Sequence, residues 1–350
     1  MQQRELGASG LHVPAIVFGA WAIGGWNWGG SDDDAAVRAI QRALDLGVNA
    51  IDTAPVYGFG HSERVVGRAI AGRRADVVLM TKVGLRWDDD DGEFYFQATS
   101  ASGETLRVHR NLKPASVRHE VEASLARLGT DYLDLVQIHW PDPRTPLEET
   151  LAALLELRAR GVVRAIGVSN FPVAMLESAI ADLGDVPLAS TQPKYSLVAR
   201  ESENDVLPFC RKNNVGVIVY SPLEQGLLTG KVPAERTFTD DDGRAKRWTF
   251  EAENRARVND VLTRVVRPIA ERRGGTIAQV VLAWTIAQPG VTSAIVGARN
   301  EAQVAENAVA GEMRLTELEL ATVRAAFEGL ELDASRRGSM LSRIVRKLVE

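Results

Sequence analysis

The chain has 350 residues, 45% hydrophobic and 25% charged, which is the balance of a globular protein rather than a disordered or fibrous one. Its formal net charge of −5 argues against a nucleic-acid binder, which would show a basic face, and no apolar run reaches the roughly 18–20 residues that span a bilayer. The opening MQQRELGASG lacks the basic start and apolar stretch of a signal peptide, and a lone cysteine, Cys210, precludes an internal disulfide; the expected compartment is the cytoplasm.

Residues 4–14, with Gly7 and Gly10 between short strand-like pieces, predict a hairpin closing the floor of the fold. Eight short apolar runs then predict strands at 15–19, 50–53, 77–83, 133–139, 165–168, 188–192, 217–220 and 293–297. Their near-continuous Val/Ile/Leu character suits parallel strands buried on both faces. Amphipathic helical patterns lie between them. One, at 114–128, has Pro114 in its first turn and Gly129 beyond its end; another, at 147–160, stops at Gly161. Eight βα units closed on themselves make a (β/α)8 TIM barrel. A doubly wound open sheet is the alternative, though it uses fewer strands and a different phosphate loop. The expected organisation is one barrel domain over residues 1–330 and a tail over 331–350.

Two long connections interrupt the alternation. Residues 84–113 hold an acidic WDDDDGEFYF patch and no clear helix, and residues 226–257 follow the seventh strand. Both leave the C-terminal ends of strands, where barrel enzymes keep their active sites. They are expected to shape a substrate pocket, with tolerated surface insertion as the plainer reading.

Four ionisable residues fall at or just beyond strand ends: Asp52, Tyr57, Lys82 and His139. In a barrel such ends converge on one mouth. Reducing a carbonyl needs a proton donor beside the oxygen as hydride reaches the carbon. A phenol with a pKa near ~10 is a poor acid, and a buried ammonium such as Lys82 beside it should lower that value. Asp52 can pair with Lys82, and His139 can orient the carbonyl oxygen or relay its proton. Taken singly, an Asp–Lys pair, a loop tyrosine and a strand-end histidine are ordinary structural residues; it is their convergence that points to function. No G-x-G-x-x-G follows an early strand, and no His/Cys/Asp/Glu cluster has metal-ligand spacing, so neither a Rossmann site nor a metal is expected.

The chain also resembles a known family. GAWAIGG at 19–25, IDTAPVYGFGHSE at 51–63, MTKVG at 80–84 and LVQIHWPD at 135–142 are similar, in that order, to signatures of the aldo-keto reductases. IGVSNF at 166–171, STQPKYSL at 190–197, YSPLEQGLLTGK at 220–231 and IVGARNEAQVAEN at 295–307 continue the series. The likeness covers about residues 1–330 and is nearest the bacterial reductases related to potassium-channel β-subunits. It implies that Asp52, Tyr57, Lys82 and His139 form the family's catalytic tetrad, with Tyr57 the general acid, and that Ala20 and Trp21 lie at the cofactor with Asp52. It implies that Ser169, Asn170 and Gln192 hold the nicotinamide carboxamide and that Tyr220 stacks on the ring. The loop around the pyrophosphate falls on Ser221, Leu223, Gln225, Gly226, Leu228 and Lys231. The adenine end falls on Gly297, Arg299, Gln303, Glu306 and Asn307. Where the best-known branch has a Lys–Ser pair for the 2′-phosphate, this chain has Gly297 and Ala298, with Arg299 next. A guanidinium suits bidentate phosphate contact, so NADP(H) is expected ahead of NAD(H). Trp21, Tyr57, Trp87, His139 and Trp140 are the expected lining for a small-molecule carbonyl or alcohol substrate. The related β-subunits leave a second reading open: a cofactor-binding regulatory subunit with slow turnover.

Residues 336–350, RRGSMLSRIVRKLVE, put apolar residues at helical spacing with basic ones opposite. A helix docked on the barrel, a contact between copies of the chain and a frayed terminus are the competing readings.

Overall fold

The computed structural model describes residues 1–26, 28, 30–100, 102–239 and 242–335; the amphipathic pattern at 336–350 lies outside the described residues. The chain starts with β1 (Gln3–Glu5) and β2 (His12–Pro14), paired antiparallel. Next come β3 (Ile16–Gly19), α1 (Asp33–Asp45), β4 (Ala50–Asp52), α2 (His61–Ile70) and β5 (Val78–Val83). An insertion follows, with β6 (Leu85–Arg86), β7 (Glu93–Thr99) and β8 (Thr105–Arg110). The alternation resumes with α3 (Pro114–Leu128), β9 (Leu133–Ile138), α4 (Leu147–Ala159), β10 (Val163–Ser169), α5 (Val173–Leu183) and β11 (Leu188–Gln192). It continues through α6 (Val206–Asn213), β12 (Gly216–Val219), α7 (Ala252–Val261), α8 (Arg267–Arg272) and α9 (Ile277–Ile286). Last come β13 (Ser293–Gly297), α10 (Glu301–Ala310) and α11 (Glu317–Glu328).

β3, β4, β5, β9, β10, β11, β12 and β13 pair in parallel in that order, and β13 returns to β3. The result is a closed (β/α)8 barrel, and each of the eight predicted strands is one of its staves. Strand alternation sorts the core into two layers. Val17, Ala50, Met80, Leu135, Ala165, Ala189, Ile218 and Ile295, one from each stave, fill the interior. The residues of opposite parity, such as Leu79, Val136 and Ile138, join the larger core beneath the helices with Ile40, Val66, Val121 and Leu154. Each fully buried aliphatic side chain stabilises the fold by about 1.5–3 kcal/mol.

The predicted floor hairpin plugs one end of this interior. Leu6, fully buried between β1 and β2, packs with Val13 into the ring of stave residues. Gly7 turns at φ +58, and a side chain there would sit 2.7 Å from the Asn214 carbonyl and the Gly216 amide. Only glycine lets the turn press against the entry to β12.

The 84–113 segment corrects the expectation of an irregular loop, because it folds as a three-stranded antiparallel sheet in the order β6-β8-β7. A register shift between Phe94 and Phe96 breaks the two-residue period, so the pattern is hard to read from sequence. The acidic run is tied down by bases: Asp88 meets Arg86 at 2.6 Å and Asp91 meets Lys113 at 2.8 Å. No described helix is long and apolar enough to cross a membrane.

Candidate active site

The alternation that turns Ala50, Met80 and Leu135 inward also turns in Asp52, Lys82 and Gln137, two residues further toward the C-terminal mouth. There the Lys82 Nζ, wholly excluded from solvent, donates to Asp52 Oδ1 at 2.5 Å and to the Thr53 carbonyl at 3.0 Å. Asp52 Oδ2 accepts from Gln137 Nε2 at 3.2 Å and from Gln192 Nε2 at 2.9 Å. Burial works against the Lys82 charge, but Asp52 and then Tyr57 outweigh it and hold the pKa above the ordinary lysine value.

Tyr57 lies over this pair, its ring centroid 5.0 Å from Lys82 Nζ. Its loop is fixed by a close approach of two backbones. Gly58 turns at φ +63, and a side chain there would fall 2.2 Å from the Gly24 carbonyl. The expected lowering of the Tyr57 pKa is corrected by the structure. Burial raises it above the ordinary phenol value; Lys82 pulls it down and Asp52 pushes it up. Losing hydration outweighs the nearby ammonium. His139 stands edge-on to Tyr57 with centroids 5.8 Å apart. Burial first, then the Lys82 charge, hold the imidazole pKa well below its usual value, so the ring is neutral.

These groups open onto a cleft of about 640 Å³. On one side Ser169, Asn170, Gln192 and Tyr220 form a hydrogen-bonded patch. Ser169 Oγ donates to the Gln192 carbonyl at 2.8 Å, and Asn170 Nδ2 donates to the His139 carbonyl and to Ser169 Oγ, each at 3.0 Å. The Tyr220 hydroxyl donates to Asn170 Oδ1 at 2.9 Å. Asn170 itself has φ +62. Beyond Tyr220 the backbone turns through positive φ at Ser221, Glu224, Gln225 and Gly226. Such conformations in non-glycine residues are uncommon and gather at ligand sites.

The far end of the cleft is cationic. Lys231 Nζ binds both Glu306 carboxylate oxygens, at 2.8 and 2.6 Å. The Arg299 amide donates to Gln303 Oε1 at 2.8 Å, and its guanidinium donates to the Trp28 carbonyl at 3.0 Å. Asn307 Nδ2 reaches the Gly297 carbonyl at 3.4 Å. Trp21, Trp140, Leu223, Gln225 and Gly226 also line the cleft.

Four sequence candidates do not line it. Lys82 lies fully buried, reaching the cleft through Asp52 and Tyr57. Ala20 and Leu228 are fully buried in the core, and Trp87 packs against Phe59 at 5.7 Å. Gly19 and Trp21 line the opening while Ala20 between them faces the core, a choice that spacing in a loop cannot reveal. Other residues of the site were missed by sequence reasoning. Gln137, fully buried and hydrogen-bonded to Asp52, could have been found, since it precedes His139 by two at the end of β9. Arg236 and Arg244 sit in the long connection after β12, where basic residues in a loop expected to shape the pocket were a usable signal. Phe96, stacked on Trp26 at 5.5 Å, gave none, because its sheet was unforeseen.

Comparison with known proteins gives a consistent result. The model of the Aldo/keto reductase family matches residues 15–328. The NADH-specific methylglyoxal reductase of Escherichia coli (strain K12) is 38% identical over 338 residues, covering 95% of this chain and 100% of that protein. A probable voltage-gated potassium channel subunit beta of Arabidopsis thaliana is 34% identical, covering 88% and 90%. Among solved structures, the glycerol dehydrogenase AKR11B4 from Gluconobacter oxydans superposes with a TM-score of 0.81 at 38% identity, covering 95% of this chain and 97% of that one.

Proposed function

The chain belongs to the aldo/keto reductase family, and from that premise we propose that it transfers hydride between a nicotinamide cofactor and a small carbonyl or alcohol substrate, with Tyr57 as the proton donor in reduction. The observation that carries this reading is Tyr57 standing over the buried Lys82–Asp52 pair with neutral His139 at its edge. At neutral pH Tyr57 keeps its proton until the substrate oxygen gains charge. As the proton leaves, the phenolate is met by Lys82, whose own charge is secured by Asp52. The low-polarity surroundings strengthen that interaction. Neutral His139 can donate one ring N–H to the substrate oxygen.

A bound nicotinamide dinucleotide would supply the hydride. The donor and acceptor set of this cleft fits such a group: Ser169, Asn170 and Gln192 for its carboxamide, Tyr220 for its ring, the left-handed turn from Ser221 to Gly226 and Lys231 for its diphosphate. Arg299, Gln303 and Asn307 would hold the adenosine end. We favour NADP(H) because Arg299 offers a guanidinium at the cationic end of the cleft; the name of the Escherichia coli relative argues for NADH. Names of relatives also suggest short carbonyls and polyols as substrates, in a mouth walled by Trp21, Trp26, Phe96 and Trp140.

A regulatory, cofactor-binding role is the second reading, prompted by the plant relative's name. The complete set of Asp52, Tyr57, Lys82 and His139 favours catalysis. The deciding experiment is a steady-state panel of aldehydes, ketones and sugars, run in both directions with NADPH and NADH. Tight cofactor binding without turnover on any of them would support the regulatory reading, and binding of neither cofactor would refute both.

A further inference from the structure

We propose that Gln137 is a positioning residue that couples the proton-donating pair to the cofactor patch, by fixing Asp52 and by setting which end of the Gln192 amide faces the cleft. The inference rests on the functional reading above.

Gln137 is fully buried on β9, between Leu135 and His139 on the inward face. Asp52 Oδ2 belongs to a carboxylate and can only accept, so the nitrogen ends of both Gln137 and Gln192 must face it, at 3.2 and 2.9 Å. That leaves Gln137 Oε1 as an acceptor, and it takes a second hydrogen bond from Gln192 Nε2 at 3.1 Å. The nitrogen of Gln192 is therefore held by two acceptors. Its Oε1 takes no hydrogen bond from the described residues, and Gln192 lines the cleft. The end offered to a ligand is thus a carbonyl oxygen, suited to the N–H of a carboxamide. Were Gln137 apolar, Gln192 would keep one tether instead of two, and its amide could turn to present a donor. Asp52 would lose one of its two amide partners, and so part of what fixes it against Lys82. One buried side chain connects both halves of the site.

Two variants test this, with the unaltered protein measured in parallel. Gln137→Met keeps the shape and removes both hydrogen bonds. It should weaken NADPH or NADH, whichever the unaltered protein prefers, on the order of tenfold, with a melting temperature close to the parent's. Gln137→Glu restores both bonds only while its carboxyl is protonated, donating to Asp52 and accepting from Gln192. Once ionised it confronts Asp52, with Lys82 as the nearby cation, and the arrangement fails. Its turnover on a carbonyl substrate relative to the parent should therefore fall as pH rises from about 5.5 to about 9. At the acid end its cofactor affinity should match the parent's rather than that of Gln137→Met, a rescue that a merely space-filling role would not require. Parent-like cofactor binding by Gln137→Met would overturn the proposal. If that variant does not fold, the Gln137→Glu series decides, and a ratio that does not change with pH overturns it. Failure of the unaltered protein to bind either cofactor would instead sink the functional reading, and this inference with it.

Discussion

Lys82 and Asp52 meet at 2.5 Å with no solvent reaching the ammonium, so each is the other's countercharge in a site where neither could be hydrated. Removing one member of such a pair strands a buried charge and typically costs about 3–5 kcal/mol, whereas replacing both is far milder. Lys82→Met should therefore destabilise the protein by that amount in denaturant unfolding. Asp52→Asn combined with Lys82→Met should recover most of the stability but none of the turnover. A double variant that regains activity would show that the pair only holds the barrel together.

Tyr57→Phe should lower carbonyl reduction by about 10²–10⁴-fold and leave the cofactor dissociation constant nearly unchanged, because the phenol makes no hydrogen bond to the patch of Ser169, Asn170 and Gln192. Single-turnover kinetics with a fluorescence titration separates the two effects. Turnover near the parent's level on several carbonyls would remove Tyr57 from its role.

Arg299→Ala should weaken NADPH by about 1.5–3 kcal/mol, roughly 10–150-fold, and leave NADH almost untouched, since only one of them carries a 2′-phosphate. Calorimetric titration of both cofactors checks this. Equal losses would mean that Arg299 acts mainly by holding the Trp28 carbonyl, and a parent that prefers NADH would overturn the cofactor assignment.

Glu120 gives the clearest dependence of stability on pH. Burial pushes its carboxyl up to about 8 from an ordinary value of 4.5, with the hydrogen bond from the Gly84 amide opposing. The folded state thus holds a proton that the unfolded state releases between those values. Its contribution is complete below pH 4.5 and declines as pH rises toward 8. Glu120→Gln, which cannot ionise, should gain stability relative to the parent as pH is raised from 5 to 8, by a few kcal/mol at about 1.4 kcal/mol per unit. Melting curves in which the difference between the two proteins does not change with pH would contradict this.

Phe96→Ala should raise KM several-fold for aromatic aldehydes and hardly at all for a three-carbon carbonyl. The stack of Phe96 on Trp26 is worth about 0.5–1.5 kcal/mol to a wall that a planar substrate can share. Identical KM changes for both substrates would assign Phe96 to holding the hairpin rather than to selection.

The sequence by itself determined the barrel. Eight doubly buried strands have no polar face, so their apolar runs stood out at the right spacing, and Pro114 and Gly129 marked the ends of α3 because proline and glycine act through local backbone geometry. It also determined that Asp52, Lys82 and His139 would meet, since strand-end positions on one barrel share one mouth. Only the tertiary structure decided what depends on long-range packing: the hairpin of β7 and β8, whose pattern is broken at Phe94 and Phe96, the burial of Ala20 and Leu228 in the core, and the packing of Trp87 against Phe59. It decided the sign of the Tyr57 shift as well. The sequence places an ammonium near the phenol, but how much water the folded chain removes from around that phenol is a property of every element packed against it.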